Sequence, residues 1–162
     1  MRAFGGLEIR ANTAAGIVPA AVAKVTAAVA GSAWTANAVT AHGNLGVVPD
    51  VTNSRLTLKP GIYEIVFNAC IEGATVGGTS GDATGNINFR LYQGGVASGI
   101  LCPSQITDAS TKTQVTMMGL VEVTQAQADA GTNYVEVYAN ADDASGNDII
   151  VREAQFYAKH ID

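Results

Sequence analysis

The stretch RLTLKPGIYEIVFNACIE, residues 55–72, decides the fold of this chain. Its first five residues are typical of a short strand, Pro60-Gly61 of a turn, and residues 62–72 of a long strand. Because side chains alternate between the two faces of a strand, every second residue of the long strand lies on the same face. One face is entirely apolar and is predicted to lie in the core; its members are Tyr63, Ile65, Phe67, Ala69 and Ile71.

The opposite face of the same strand is mixed in character. It alternates apolar residues with carboxylates and an amide, a combination that suits neither a dry core nor a fully solvated surface. We therefore expect this face to meet another subunit; its members are Ile62, Glu64, Val66, Asn68, Cys70 and Glu72.

Further strands with turns rich in Gly, Asn and Asp account for the rest of the chain. Residues 20–30 have a helical alternative, but their β-branched residues favour extended structure. No tandem repeat is visible, which disfavours a propeller or a β-helix. The pattern predicts an all-β sandwich with strands at 86–93, 113–124, 134–139 and 149–161, and with loops or turns at 73–85, 97–112, 125–133 and 142–148.

The composition indicates one domain with few charges. At 162 residues the chain is long enough for one substantial core and too short for two. Charged residues make up 14% of the chain, against ~25% in typical soluble domains. Either sister subunits or a larger assembly cover much of the surface, or Ala, Gly, Thr, Ser and Asn replace charge on an ordinary surface.

The charge pattern argues against nucleic acid and membrane as partners. The formal net charge is -5, and the nine Lys and Arg residues are scattered singly, without a basic stripe that could follow a phosphate backbone. No stretch approaches the roughly 20 apolar residues of a membrane span. The opening MRAFGGLE does not resemble a signal peptide, so we expect synthesis in the cytoplasm.

Residues for common catalytic mechanisms are missing. The only histidines, His42 and His160, have no recognisable nucleophile partner, and there is no phosphate-binding glycine motif. Paired-carboxylate chemistry is considered for Glu122 and Glu136, which lie on predicted strands without a pocket signature. We predict that the chain is not an enzyme and takes no cofactor.

Cysteines and acidic residues give no clear metal site. Cys70 and Cys102 lack a CxxC partner, so small apolar side chains are favoured over a disulfide bridge. One loop is rich in oxygen ligands, as calcium prefers, but its spacing fits no standard calcium loop. We expect a solvated turn without metal there, with an ion site as the alternative; the residues are Asn140, Asp142, Asp143, Asn147 and Asp148.

Four segments resemble the tumour-necrosis-factor-like jelly rolls, which include the globular heads of complement proteins. Residues 56–73 are similar to the central strand of those domains, where Pro-Gly-aliphatic-Tyr opens a long strand after a short one. Residues 86–96 are similar to the next strand and its turn, and residues 131–137 to the penultimate strand. The chain also ends on a strand, QFYAKHI at residues 155–161, and the resemblance covers residues 55–162.

The resemblance implies an antiparallel two-sheet jelly roll that packs as a homotrimer, with one sheet facing the partners. Glu64 departs from the family, which has an apolar or aromatic residue there; a carboxylate near a threefold axis needs Lys, Arg or water to compensate it. By strand parity, the implied trimer interface consists of Ile62, Glu64, Val66, Asn68, Cys70 and Tyr157.

Jelly rolls of this kind are found in phage capsid decoration proteins, and this is the function we expect. The chain would bind the major capsid protein on the capsid surface of the virion after synthesis in the host cytoplasm. Residues 1–20 are predicted to be an extended arm and residues 21–162 the jelly-roll domain. The alternative is that the leading segment forms an edge strand and an irregular loop of its own domain. The expected capsid-binding residues of the arm are Arg2, Phe4, Leu7, Ile9 and Arg10.

A second hypothesis is a receptor- or glycan-binding tip of a phage tail or surface fibre. In that case loops 73–85 and 97–112 would carry recognition. The chain has no coiled-coil or collagen-like stalk, and its single Trp and five Tyr offer few stacking platforms for sugars. A secreted signalling ligand of the same family conflicts with the expected lack of a signal peptide.

Overall fold

A computed structural model describes residues 4–9, 17–18, 23–25, 34–38, 46–50, 52–74, 85–106, 112–141 and 148–161. Within these ranges the chain forms strands and one short helix. The elements are β1 Phe4–Ile9, β2 Ile17–Val18, β3 Ala23–Lys24, β4 Trp34–Ala38, β5 Val47–Asp50, β6 Arg55–Leu58, β7 Gly61–Ala74, β8 Gly85–Gln93, β9 Val96–Ile106, β10 Thr113–Val123, α1 Gln125–Asp129, β11 Tyr134–Ala141 and β12 Asp148–His160.

The strands form two antiparallel sheets, as predicted. Sheet 1 has the order β10-β7-β12-β1-β4, with β2 also paired to β12. Sheet 2 has the order β5-β6-β11-β8-β9, with β3 also paired to β11. The Pro60-Gly61 turn carries the chain from sheet 2 to sheet 1, and Gly61 adopts a φ of 150° that favours glycine.

The core lies between the sheets and contains the residues predicted for it. All five inward side chains of β7 are buried, and Phe67 is central among them. Its ring lies 5.5 Å from that of Phe89 in sheet 2 and 6.4 Å from that of Phe156 in sheet 1, measured between centroids. Burying each such side chain contributes about 1.5–3 kcal/mol to folding, so aromatic contacts across and within the sheets hold the sandwich together.

One edge of the sandwich is closed by contacts between β9 and β10. The side chain of Ile100 covers Gly119, so closely that a Cβ at Gly119 would lie 2.5 Å from Ile100 Cδ1. The thiol of Cys102 donates a hydrogen bond to the carbonyl oxygen of Thr116 at 3.2 Å. Burial raises the pKa of this thiol, which keeps it protonated as a donor at neutral pH.

The prediction of a recognition loop at residues 97–112 is wrong for most of that range. Residues 96–106 form β9, the edge strand of sheet 2. Its alternation is hard to read because Gly99 and Pro103 interrupt it and only Ile100, Cys102 and Ile106 pack toward the core. An edge strand tolerates proline, because the backbone groups on its outer side form no hydrogen bonds with a neighbouring strand.

Two other connections were predicted as loops. Residues 125–133 contain α1, which begins with a capping box between Thr124 and Gln127. The loop predicted at 73–85 lies largely outside the described residues, although β7 continues to Ala74 and β8 begins at Gly85.

The segment predicted as a capsid-binding arm is partly a strand of the sandwich. Residues 4–9 form β1, which pairs with β12 on one side and β4 on the other. Leu7 is only 1% exposed and belongs to the core, so its predicted role in capsid binding is wrong. This strand is hard to recognise in the short sequence FGGLEI, because its two glycines weaken the strand pattern.

Within the described residues, no helix has the length and apolar character needed to cross a membrane.

Candidate functional site: the outer face of sheet 1

The outward side chains of sheet 1 form rows across neighbouring strands. In one row, Val66 of β7 lies between Met118 of β10 and Tyr157 of β12. In the next, Leu120 of β10 lies opposite Glu64 of β7, which in turn lies opposite Lys159 of β12. Cross-strand neighbours have Cβ atoms about 4.5–5.5 Å apart, so each row is a continuous surface.

Apolar side chains on this surface are exposed to an unusual degree. Met118 is 67% exposed and Leu120 is 64% exposed, both on the edge strand β10. Ile62 is 38% exposed and Phe4 36%. We call the following set the apolar face of sheet 1: Phe4, Ile62, Val66, Met118, Leu120 and Tyr157.

The apolar face of sheet 1 spans the sheet from its edge to its middle. On the β1 side, the ring of Phe4 contacts that of Tyr157, with centroids 5.4 Å apart. On the β10 side, Met118 and Leu120 alternate with the inward residues Met117 and Val121, so the strand phase directs both to the outside. Large apolar side chains that are exposed together on one face mark an interaction site more often than single scattered ones do.

Toward the other end of the sheet, the outer face becomes polar. Asn68 lies opposite Thr116 and Gln155, and Cys70 lies opposite Gln114 and Glu153. The apolar part is therefore confined to the end of the sheet where β7 begins.

The predicted interface residues differ in how much surface they offer. Val66 is 5% exposed and Cys70 8%, because neighbouring strands of the same chain already cover them. Ile62 is exposed, whereas Glu64, Asn68 and Tyr157 are half-buried. The structure thus brings all six to one face, but the burial of Val66 and Cys70 does not require a partner.

Lys159 is the positively charged residue that lies next to Glu64 in the register of sheet 1. It lies directly opposite Glu64 in the pairing of β12 with β7. The departure from the family pattern at Glu64 is thus accompanied by a neighbouring positive charge within the same chain.

Sequence reasoning missed Met118 and Leu120, the most exposed members of the face. The inward phase of β10 consists of Val115, Met117, Gly119, Val121 and Val123, four of which are buried and one half-buried. Two large apolar residues in the opposite, outward phase were the available signal.

The predicted arm residues fall into four groups. Phe4 lies on the apolar face of sheet 1, and Leu7 lies in the core. Ile9 pairs with Ala154 and Trp34 within sheet 1. Arg2 and Arg10 lie outside the described residues.

The structure does not bring the candidate catalytic residues together. Glu122 points outward from sheet 1 and Glu136 outward from sheet 2, so the two carboxyl groups lie on opposite sides of the sandwich. His160 packs against the ring of Tyr63 at a centroid distance of 4.9 Å. His42 lies outside the described residues.

Metal-binding and cysteine candidates gain no support as sites. Among the described residues, no group of three or more His, Cys, Asp or Glu side chains is placed to hold a metal ion. Asn140 is the penultimate residue of β11 and Asp148 is the first residue of β12, while the remaining members of the oxygen-rich loop lie outside the described ranges. Cys70 and Cys102 are free thiols.

Comparison with known proteins reveals similarity at the level of structure. No protein-family model and no curated protein sequence matches the chain. The PRD1 vertex protein P5 matches with a TM-score of 0.56 at 13% identity, over 99% of this chain and 74% of that one. Eiger TNF from S. frugiperda gives 0.55 at 11% identity, over 99% and 94%. Murine APRIL at pH 5.0 gives 0.54 at 11% identity, over 98% and 99%.

At sequence identities this low, the structural similarity shows a shared fold and nothing more. The three proteins share that fold with this chain over nearly its whole length. Together with the two-sheet topology, they establish that the chain is a tumour-necrosis-factor-like jelly-roll β-sandwich.

Proposed function

We propose that this chain is a structural protein of a phage particle, which forms a homotrimer and decorates the capsid surface. The observation that carries the proposal is the exposure of the large apolar side chains of Met118 and Leu120 on the outer face of sheet 1. Burying such side chains against a sister chain removes apolar surface from water, which drives association. Among the similar structures, the PRD1 vertex protein P5 supports a role in a virus particle.

The layout of the apolar face suits a ring of three better than a twofold dimer. One border, on β10, carries Met118 and Leu120; the other, on β12 and β1, carries Tyr157 and Phe4. In a cyclic trimer each contact joins two different patches, so the β10 border of one chain would meet the β12–β1 border of the next. Family resemblance supports the same arrangement.

On a capsid, the trimer would act through repetition. Many weak contacts with the major capsid protein, repeated over a symmetric lattice, give avidity without one strong interface. Arg2 and Arg10 remain our candidates for these contacts, because both lie close in sequence to β1 at the border of the trimer surface.

A matched pair of variants tests the trimer. Leu120→Glu places a charge on the apolar face, and we expect it to convert the trimer to monomer at micromolar concentration. Val96→Glu alters a residue that is 70% exposed at the turn between β8 and β9, and it should leave the mass unchanged. Equal masses for both variants would contradict the proposal that the apolar face is the interface.

Co-sedimentation with purified phage heads tests the capsid role. The wild-type chain should bind heads saturably, and Leu120→Glu should bind much more weakly because it loses avidity. Binding to cell envelopes or polysaccharide in place of heads would favour the tip hypothesis. A Leu120→Glu monomer that binds heads as tightly as wild type would contradict a role for the trimer.

A further inference from the structure

A second surface with recognition chemistry lies on the outer face of sheet 2. Strands β8, β9 and β11 form a cleft there with a volume of about 230 Å³. Pockets for drug-sized ligands measure roughly 300–1,000 Å³, so this cleft suits one or two sugar-sized units. We call it the sheet 2 cleft; its lining includes Asn88, Arg90, Tyr92, Leu101, Tyr138 and Asn140.

Two tyrosines form an aromatic platform in the sheet 2 cleft. The rings of Tyr92 and Tyr138 have centroids 4.1 Å apart and planes inclined by 32°. Both are half-buried, so part of each ring remains accessible. Burial raises the pKa of the Tyr138 phenol, and the carboxylate of Glu136 adds to this, so the hydroxyl stays neutral at ordinary pH.

Polar groups converge beside this platform. Arg90 lies directly opposite Tyr138 on β11 and Leu101 on β9, and Asn88 lies opposite Asn140. Arg90 is exposed, and among the described residues that line the cleft it alone is charged. No hydrogen bond or ion pair is made by the side chains of Arg90, Asn88 or Asn140 among the described residues, so these side chains are available for a ligand.

The carboxylate of Glu136, which also lies on sheet 2, is already engaged. Glu136 lies opposite Tyr92 and is only 4% exposed. It has an interaction partner of its own and does not line the cleft. Within the described part of the cleft the accessible charge is therefore positive, although the chain as a whole carries -5.

We propose that the sheet 2 cleft binds an acidic saccharide, with Arg90 pairing with the ligand carboxylate. A guanidinium matches a carboxylate with two parallel hydrogen bonds. The amides of Asn88 and Asn140 offer both donors and acceptors, as sugar hydroxyl groups require. The Tyr92–Tyr138 platform and Leu101 provide apolar surface for the C–H faces of a sugar ring.

The cleft and the apolar face of sheet 1 lie on opposite sides of the sandwich. Binding in the cleft is therefore compatible with the trimer and does not depend on the decoration role. A trimer would present three clefts outward, which raises the avidity for a multivalent glycan.

A glycan array that carries sialylated, uronate-containing and neutral oligosaccharides tests the proposal on the full chain. We expect signals on acidic glycans, reduced at least tenfold by Arg90→Gln and by Tyr92→Ala. Lys112→Gln removes one positive charge from an exposed position outside the cleft, before β10, and it should keep the wild-type signal. Circular dichroism checks that all variants fold.

Several outcomes would overturn the proposal. These are a chain that binds no acidic glycan on the array, equal signals on neutral and acidic glycans, and an acidic signal that survives Arg90→Gln. Equal losses in Arg90→Gln and Lys112→Gln would indicate nonspecific attraction by charge and would also overturn it. None of these results bears on trimer formation, which mass measurement tests separately.

Discussion

At the level of single residues, the contact between Gly119 and Ile100 sets how closely β9 and β10 pack at one edge of the sandwich. A Cβ at Gly119 would lie 2.5 Å from Ile100 Cδ1 and 2.7 Å from Cγ1, so any larger residue must displace this side chain. We expect Gly119→Ala to lower the free energy of unfolding by about 1–3 kcal/mol, the usual cost of overpacking.

A double-mutant cycle isolates that contact. Ile100→Ala removes the clashing atoms, so Gly119→Ala should cost less in its background, with a coupling of about 1 kcal/mol measured by urea denaturation. Additive effects of the two substitutions would show that Ile100 does not restrict this position.

Asp50 gives the chain a pH-dependent contribution to stability. Its carboxylate accepts hydrogen bonds from the Asn53 side chain at 2.7 Å, the Asn53 backbone at 3.0 Å and Arg55 Nε at 3.1 Å. The Asn53 side chain is the largest cause that lowers the pKa of Asp50 below its ordinary 3.8. Because the folded pKa is the lower one, stabilisation is present above pH ~4 and disappears as pH falls through the folded value.

Comparing Asp50→Asn with wild type over pH 2–7 measures this contribution. At pH 7 the variant should be less stable by about 1 kcal/mol or less, since the group is near the surface and screened by solvent. The difference should shrink as the pH falls below 4. A difference that stays constant down to pH 2 would mean that ionisation of Asp50 plays no part.

Single residues also show how far the sequence predicts the site. The alternation along β7 was sufficient to separate its core residues from Glu64 and Val66 on the outer face. It was insufficient to say which outward residues are exposed, because that depends on the strands placed beside β7 by the topology. The strand phase places Met118 and Leu120 on the outer face, but their high exposure also depends on the position of β10 at the sheet edge.

At the scale of secondary-structure elements, β1 is the strand whose role differs most from expectation. It is an interior strand of sheet 1, paired with both β12 and β4, and it contributes Leu7 to the core. Deleting residues 1–9 should therefore abolish cooperative folding, whereas a detachable arm would leave the domain intact. Thermal unfolding followed by circular dichroism distinguishes the two.

A milder change provides the control for that deletion. Leu7→Ala should lower the free energy of unfolding by about 2–5 kcal/mol, as for other buried leucines. The double substitution Arg2→Ala/Arg10→Ala should leave stability nearly unchanged and, on our proposal, weaken binding to phage heads. A deletion of residues 1–9 that unfolds at the wild-type temperature would refute the interior position of β1.

The elements recovered from sequence share a strong period-two pattern. β7, β8, β10, β11 and β12 were all predicted with boundaries close to those observed, because their inward residues are large and regularly spaced. β9 was missed, and β1 was predicted as an arm with an edge strand only as the alternative, because Gly5, Gly6, Gly99 and Pro103 dilute the pattern. Such segments form strands because of their position at a sheet edge or their pairing with strands that are distant in sequence. A local sequence pattern shows neither of these.

At the scale of the whole molecule, the two outer faces of the sandwich have different chemistry. The outer face of sheet 1 is apolar at one end and suits contact with copies of the same chain. The outer face of sheet 2 has an aromatic and polar cleft, which suits a small hydrophilic ligand. A trimer built on the first face would display the second to solvent.

The mass of the protein in solution tests whether the apolar face of sheet 1 joins three copies of the chain. Sedimentation velocity at micromolar concentration should give a single species of about 50 kDa, three times the chain mass of 16.6 kDa. A species of 16.6 kDa that persists as the concentration rises to about 100 μM would contradict the claim that the apolar face of sheet 1 joins three copies.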